Sequence, residues 1–138
     1  MSRLSGLRCD MDNIKIEATD RSPEIDFDYS TNKFSIRGES YPEDVTAFYG
    51  EIIENLEAHL SGLDGGAVEF NFELIYFNSS TAKVLMGLFD ILEETAEEGV
   101  SVTVNWHYDA EDDTMEELGE EFAEDLEAAT FNMKKFES

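Results

Sequence analysis

Apolar residues along the chain follow two rhythms, and the changes between them mark the elements. Ile14 and Ile16 alternate with polar neighbours, Ile25, Phe27 and Tyr29 alternate with Glu24, Asp26 and Asp28, and Phe34 and Ile36 follow the polar run Ser30–Lys33. Period-two alternation belongs to half-buried strands, so a short strand and then a β-hairpin are predicted. After a break at Gly38–Pro42 the spacing becomes three and four. Val45, Phe48, Tyr49, Ile52, Ile53, Leu56 and Leu60 predict a helix from Pro42 to Leu60, with Pro42 in its first turn and Gly62 past its end. Alternation returns in Val68–Phe77, a strand with Phe70, Phe72, Leu74 and Tyr76 on one face.

Beyond Asn78-Ser79-Ser80-Thr81 the helical period resumes through Val84, Leu85, Leu88, Phe89 and Leu92, and Gly99 closes it. Val102, Val104, Trp106 and Tyr108 predict a further strand, with Trp106 and Tyr108 read as core. Met115, Leu118, Phe122 and Leu126 predict a third helix. Phe131–Met133 reads as either an edge strand or a packed tail. The order β, β-hairpin, α, β, α, β, α, with βαβ connections in its second half, predicts an α/β fold (α+β mixed sheet) packed with three main helices.

Composition narrows the class. With 41% hydrophobic and 12% aromatic residues in 138, the chain can bury a core, which excludes an acidic disordered tail. One domain over residues 13–138 is expected, preceded by a flexible arm over residues 1–12, which shows no periodicity. Lys and Arg number 9 against 33 Asp and Glu, a net charge of −24. Such a field repels phosphate backbones and anionic headgroups, so neither nucleic acid nor membrane is an expected partner, and proteins with basic surfaces are. Cys9 is the single cysteine and closes no intrachain disulfide. The first residues lack the basic-then-apolar pattern of a secretory leader, and no apolar run approaches the roughly 20 residues of a membrane span; a cytoplasmic protein is expected.

Catalytic patterns are scarce. His59 and His107 sit in no recognisable motif, and the sequence has no nucleophile elbow, zinc-binding pair, Walker loop or dinucleotide glycine pattern. A non-enzymatic protein without metal or cofactor is expected. Asp109, Glu111, Asp113 and Glu120 match positions one, three, five and twelve of a calcium loop, but Thr114 stands where the sharp-turn glycine belongs; a helix N-terminus explains the acidic run better. Asn78-Ser79-Ser80-Thr81 is more informative. Hydroxyls at the end of a strand and the start of a buried helix face free backbone N–H groups and the positive end of the helix dipole, where a phosphate is tolerated. N-capping by Asn78, Ser79 or Ser80 is the plainer explanation, and needs only one of them.

Three co-linear segments carry a resemblance. Leu74–Lys83 followed by Phe89–Glu94, Gly38–Glu43, and Val104–Asp109 together resemble the SiaC family of bacterial regulatory phosphoproteins over roughly Ile14 to Phe131. That resemblance implies a STAS-like single domain, the fold of anti-anti-sigma factors, acting as a partner switch. It implies Ser79 as phosphoacceptor, with Ser80 and Thr81 as neighbouring candidates, a dedicated protein kinase, and a PP2C-like phosphatase. It also implies an effector, a diguanylate cyclase, bound and activated by the unmodified form, which connects the protein to c-di-GMP and biofilm signalling. Asn78, Ser79, Ser80, Thr81 and Lys83 would form the partner-binding platform, with Tyr41, Pro42 and Asp109 flanking it. For Tyr41 and Pro42 packing at a helix start is the competing explanation. A constitutive adaptor or an anti-sigma-factor antagonist of the same fold is the alternative function. Asn78 stands where ordinary anti-anti-sigma factors carry Asp, and no glycine follows the hydroxyl, which favours the cyclase-type circuit.

Overall fold

A computed structural model describes residues 13–137, so the predicted arm over residues 1–12 lies outside the described residues. The elements are β1 (Ile14–Ile16), β2 (Glu24–Asp28), β3 (Lys33–Ser40), α1 (Val45–Ser61), β4 (Ala67–Phe77), α2 (Ser79–Glu97), β5 (Ser101–Asp109), α3 (Asp113–Glu124) and β6 (Thr130–Phe136). They build one six-stranded sheet in the order β1-β2-β3-β4-β5-β6. The first three strands are antiparallel neighbours and β3 to β6 run parallel. Because the order advances by one place at each parallel crossover, connections of one hand lay α1, α2 and α3 on the same face. Burial agrees: Phe34, Ile36, Phe70, Phe72, Val104 and Trp106 are at most 1% exposed, whereas the alternating Ser35, Asn71, Thr103 and Asn105 are only partly covered.

Aromatic rings fill the space between sheet and helices. Phe72, Phe89, Trp106 and Phe122 touch one another with centroids 4.8–6.4 Å apart. Trp106 satisfies its buried indole N–H by donating to the carbonyl of Met115 at 2.9 Å. Gly119 of α3 lies against that ring so closely that a Cβ there would stand 2.5 Å from Trp106 Cδ1. The helix therefore reaches its depth on the sheet only with glycine at this position.

Three expectations change. Helix α1 begins at Val45 with Asp44 as its N-cap, its carboxylate accepting from the Ala47 N–H at 3.1 Å, so Pro42 precedes the helix instead of entering its first turn. A side-chain cap outcompetes proline as the start because it satisfies an otherwise orphaned donor. Leu126 falls beyond the end of α3, and the C-terminal segment is a seven-residue strand parallel to β5, longer than Phe131–Met133. In β4, Tyr76 does not share the inward face. The β3–β4 register shifts between Gly38 and Glu39, so that Gly38 faces Leu74 while Glu39 faces Tyr76, and Ile75 is an extra residue. Gly38, at φ +110°, supplies the backbone shape opposite this bulge. Beyond it Ile75 and Tyr76 are 68% and 50% exposed, and Phe77 turns in towards Trp106.

Candidate functional site

The carboxyl end of β4 runs directly into α2, and the joint is locked by its neighbours. The backbone N–H of Asn78 donates to the carbonyl of Ser40 at the end of β3. Its side-chain oxygen accepts from the Thr81 N–H at 3.0 Å, which makes Asn78 the N-cap of α2. With the cap supplied by Asn78, neither serine is needed for it. Ser79 and Ser80 occupy the first two helical positions, both exposed, and neither side chain bonds to another described residue. Lys83 is exposed one turn after Ser79.

Thr81 behaves differently. It is fully buried, and its hydroxyl donates to the Ser40 carbonyl at 3.0 Å. The Ser40 hydroxyl, also fully buried, lies 3.0 Å from Thr81 Oγ1 and 2.6 Å from the Tyr49 hydroxyl of α1. One proton per hydroxyl fixes a single direction for the chain: Tyr49 donates to Ser40 Oγ, Ser40 to Thr81 Oγ1, and Thr81 to the Ser40 carbonyl. Burial pushes the Tyr49 phenol up to about 12. Thr81 thus differs from the exposed Ser79 and Ser80 in being buried. Its side chain points back under the strand end, where a phosphate would displace packed core.

Around the joint, Tyr41 and Tyr76 meet edge to face with centroids 5.7 Å apart, and Pro42 lies beside them in sequence, half-buried ahead of α1. Tyr41 thus reaches the end of β4 through the bulge that exposes Tyr76. Asp109 belongs to a different feature. The β4–β5 ladder stops at the Phe72–Trp106 pair, while β5–β6 pairing continues to Phe136. Between the separated ends a cleft of about 650 Å³ is lined by Glu73, Leu74 and Ile75 on one side and Asp109, Glu111, Asp112 and Phe136 on the other. Asp109 stands across this cleft from Ile75, with Oδ1 accepting from the Glu111 N–H. Asp112 is the N-cap of α3, as a helix start requires.

His107 lies on the sheet face that alternates away from Trp106 and Tyr108, partly covered. Its Nε2 is 3.2 Å from Asn71 Oδ1, which also accepts from Asn105, and Asn132 donates in turn to Asn105. His59 Nε2 is 2.6 Å from Asn32 Oδ1 and its ring packs on Tyr29. Trp106 and Tyr108 are core, as their alternation predicts. Among the described residues no three ligating side chains converge as a metal site would require, and no helix is long and apolar enough to cross a membrane. The exposure of Ile75 and Tyr76, the buried role of Ser40 and the amide row across Asn71, Asn105 and Asn132 were not anticipated. Only the matching register of three asparagines on successive strands could have pointed to the row.

Fold and junction together define a small α/β regulatory protein whose distinctive chemistry is a pair of free hydroxyls at a capped helix start. The family model for "SiaC family regulatory phosphoprotein" matches residues 16–136, and the chain belongs to the SiaC family. An uncharacterised protein of Pseudomonas aeruginosa is 36% identical over 116 residues, covering 83% of this chain and 90% of the relative. Apo-SiaC from Pseudomonas aeruginosa is 32% identical with a TM-score of 0.81, over 90% of this chain and 99% of that one. A crystal structure of the diguanylate cyclase SiaD in complex with its activator SiaC, from the same organism, contains a chain matching at TM-score 0.84 and 32% identity, over 89% of this chain and 99% of that one.

Proposed function

We propose that this chain is a non-enzymatic partner switch whose unphosphorylated form binds and activates a diguanylate cyclase, and whose phosphorylation on Ser79 releases it. One observation carries the choice of residue: Asn78 caps α2, so the Ser79 hydroxyl is exposed with no structural task. Ser80, equally exposed, is the neighbouring candidate. A phosphate on Ser79 adds about −1.5 to −2 charge at the first helical position, where the helix dipole and Lys83 at i+4 offset it without rearranging the fold. A partner covering Asn78–Lys83 and the Tyr41–Tyr76 pair would instead have to desolvate that dianion. A partner arranged for the neutral hydroxyl offers no counter-charge, and each 1.4 kcal/mol of the resulting penalty costs about tenfold in affinity.

The reading includes a protein kinase and a PP2C-like phosphatase acting on Ser79, and a cytoplasmic setting in which a nucleotide cyclase has its substrate. Family membership and the similarity to SiaC in a complex with SiaD support it. The test is phosphosite mapping of protein from its native host, joined to titration of the purified diguanylate cyclase of that host with Ser79→Ala and Ser79→Glu variants. Removable phosphate on Ser79, wild-type-like binding by Ser79→Ala and at least tenfold weaker binding by Ser79→Glu are expected. Equal affinity of the two variants would remove Ser79 from the mechanism and leave a constitutive adaptor.

A further inference from the structure

A trough runs between α1 and α2, starting at Lys83, one helical turn after Ser79. Its first part, about 280 Å³, has Val45, Ile53, Val84, Leu88 and Ile91 as apolar lining, with Lys83 at its edge. It continues past Ile91 into a smaller depression bordered by Glu57, Glu94 and Glu98. Of the charged residues that line the trough, Lys83 lies towards the Ser79 end and the three glutamates lie at the far end. No carboxylate among the described residues forms an ion pair with Lys83, and no cation among them pairs with the three glutamates.

Two glycines face this trough, Gly50 from α1 and Gly87 from α2. Packing among the described residues asks for neither. A Cβ at Gly87 would meet nothing within 4 Å, and one at Gly50 only Thr46 Cγ2 at 3.8 Å. Neither has the positive φ that favours glycine. Glycine in a helix interior is less favourable than alanine, so the chain carries two such penalties on one apolar surface. Bare backbone there admits a close neighbour. Met86, beside Gly87, is 53% exposed, a flexible apolar side chain of the kind used at adaptable binding surfaces.

Resting on the partner-switch reading, we propose that the α1–α2 trough seats an amphipathic helix of the effector, carrying basic residues at the Glu57–Glu94–Glu98 end and a carboxylate at the Lys83 end. Apolar anchors at helical spacing fill the floor, as in helix-in-groove recognition. The polarity also explains how a phosphate disrupts the contact. Phosphorylated Ser79 draws Lys83 to itself along the helix and repels the carboxylate that Lys83 had matched.

The experiment compares full-length variants for melting temperature and for affinity to the purified diguanylate cyclase of the native host. Gly87→Leu should melt no lower than wild type, since leucine is the better helix former and its Cβ meets open space, yet it should bind at least tenfold more weakly. The double variant Glu94→Lys with Glu98→Lys should also bind at least tenfold more weakly, and decides the matter if Gly87→Leu does not fold. If Ser79→Glu weakens binding while both trough changes leave it intact, the trough assignment is overturned and the partner switch stands. If Ser79→Glu has no effect but the trough changes do, the trough is the docking site and the phosphate switch is wrong. A wild-type protein that does not bind the cyclase removes both.

Discussion

Beneath the exposed serines, the hydroxyls of Tyr49, Ser40 and Thr81 form a buried relay that ties α1 and α2 to the end of β3. Its electrostatic consequence is an alkaline limit. Tyr49 titrates near 10 when unfolded and about 12 when folded, so its contribution is complete below pH 10 and is lost as pH rises towards 12. Two units correspond to about 3 kcal/mol, an order-of-magnitude figure. Tyr49→Phe should cost about 1 kcal/mol at neutral pH for the lost hydrogen bond, and should remove this step from a denaturant-midpoint profile between pH 9 and pH 12, a range set by the two values. A profile unchanged by the substitution would show that the phenol ionises in the folded state without penalty.

Among the elements, the most specific tie is made by Glu93 of α2. Its two carboxylate oxygens accept from the backbone N–H groups of Glu127, Ala128 and Ala129, at 2.8–3.1 Å, in the turn that leads from α3 to β6. Partial burial works against the charged form, but these three donors prevail and hold the carboxyl below its usual value of 4.5. A lowered carboxylate contributes above pH 4.5 and is lost as pH falls through the folded value. Glu93→Gln should therefore raise amide exchange at Ala128 at neutral pH, and should flatten the acid dependence of that exchange. Sequence periodicity could not reveal this tie, because it joins residues 34 to 36 places apart through one partly buried polar side chain. Alternation did reveal β2 to β5, since one face of each is buried under helices, whereas β6 has no fully buried residue and its sequence left a strand and a tail both open. It failed at Tyr76 because the extra residue, Ile75, is itself apolar and leaves the written pattern unbroken. It was equally silent on Thr81, whose inward orientation depends on which residue caps α2; with Asn78 as the cap, Thr81 is the third helical residue and packs beneath β3.

At the scale of the whole molecule, a net charge of −24 on 138 residues makes self-repulsion a standing cost of compactness. Added salt screens it: the Debye length falls from about 30 Å at 0.01 M to about 8 Å at 0.15 M. The melting temperature at neutral pH should therefore rise over that interval, measured with sodium chloride in a scanning calorimeter. A temperature independent of salt would mean that the acidic residues are too far apart to interact through solvent. The bulge in β4 also acts at this scale. A strand counts in twos, and Ile75 adds one, so every residue after it changes sides. The apolar exposure beside Ser79 is consequently written in the number of residues more than in their kinds. Replacing Ile75 with a polar residue preserves the count and leaves Tyr76 outside to meet Tyr41; deleting it sets Tyr76 directly after inward-facing Leu74 and leaves it outside as well, so only a strand that keeps Ile75 and loses the bulge would turn Tyr76 under the helices and part the aromatic pair.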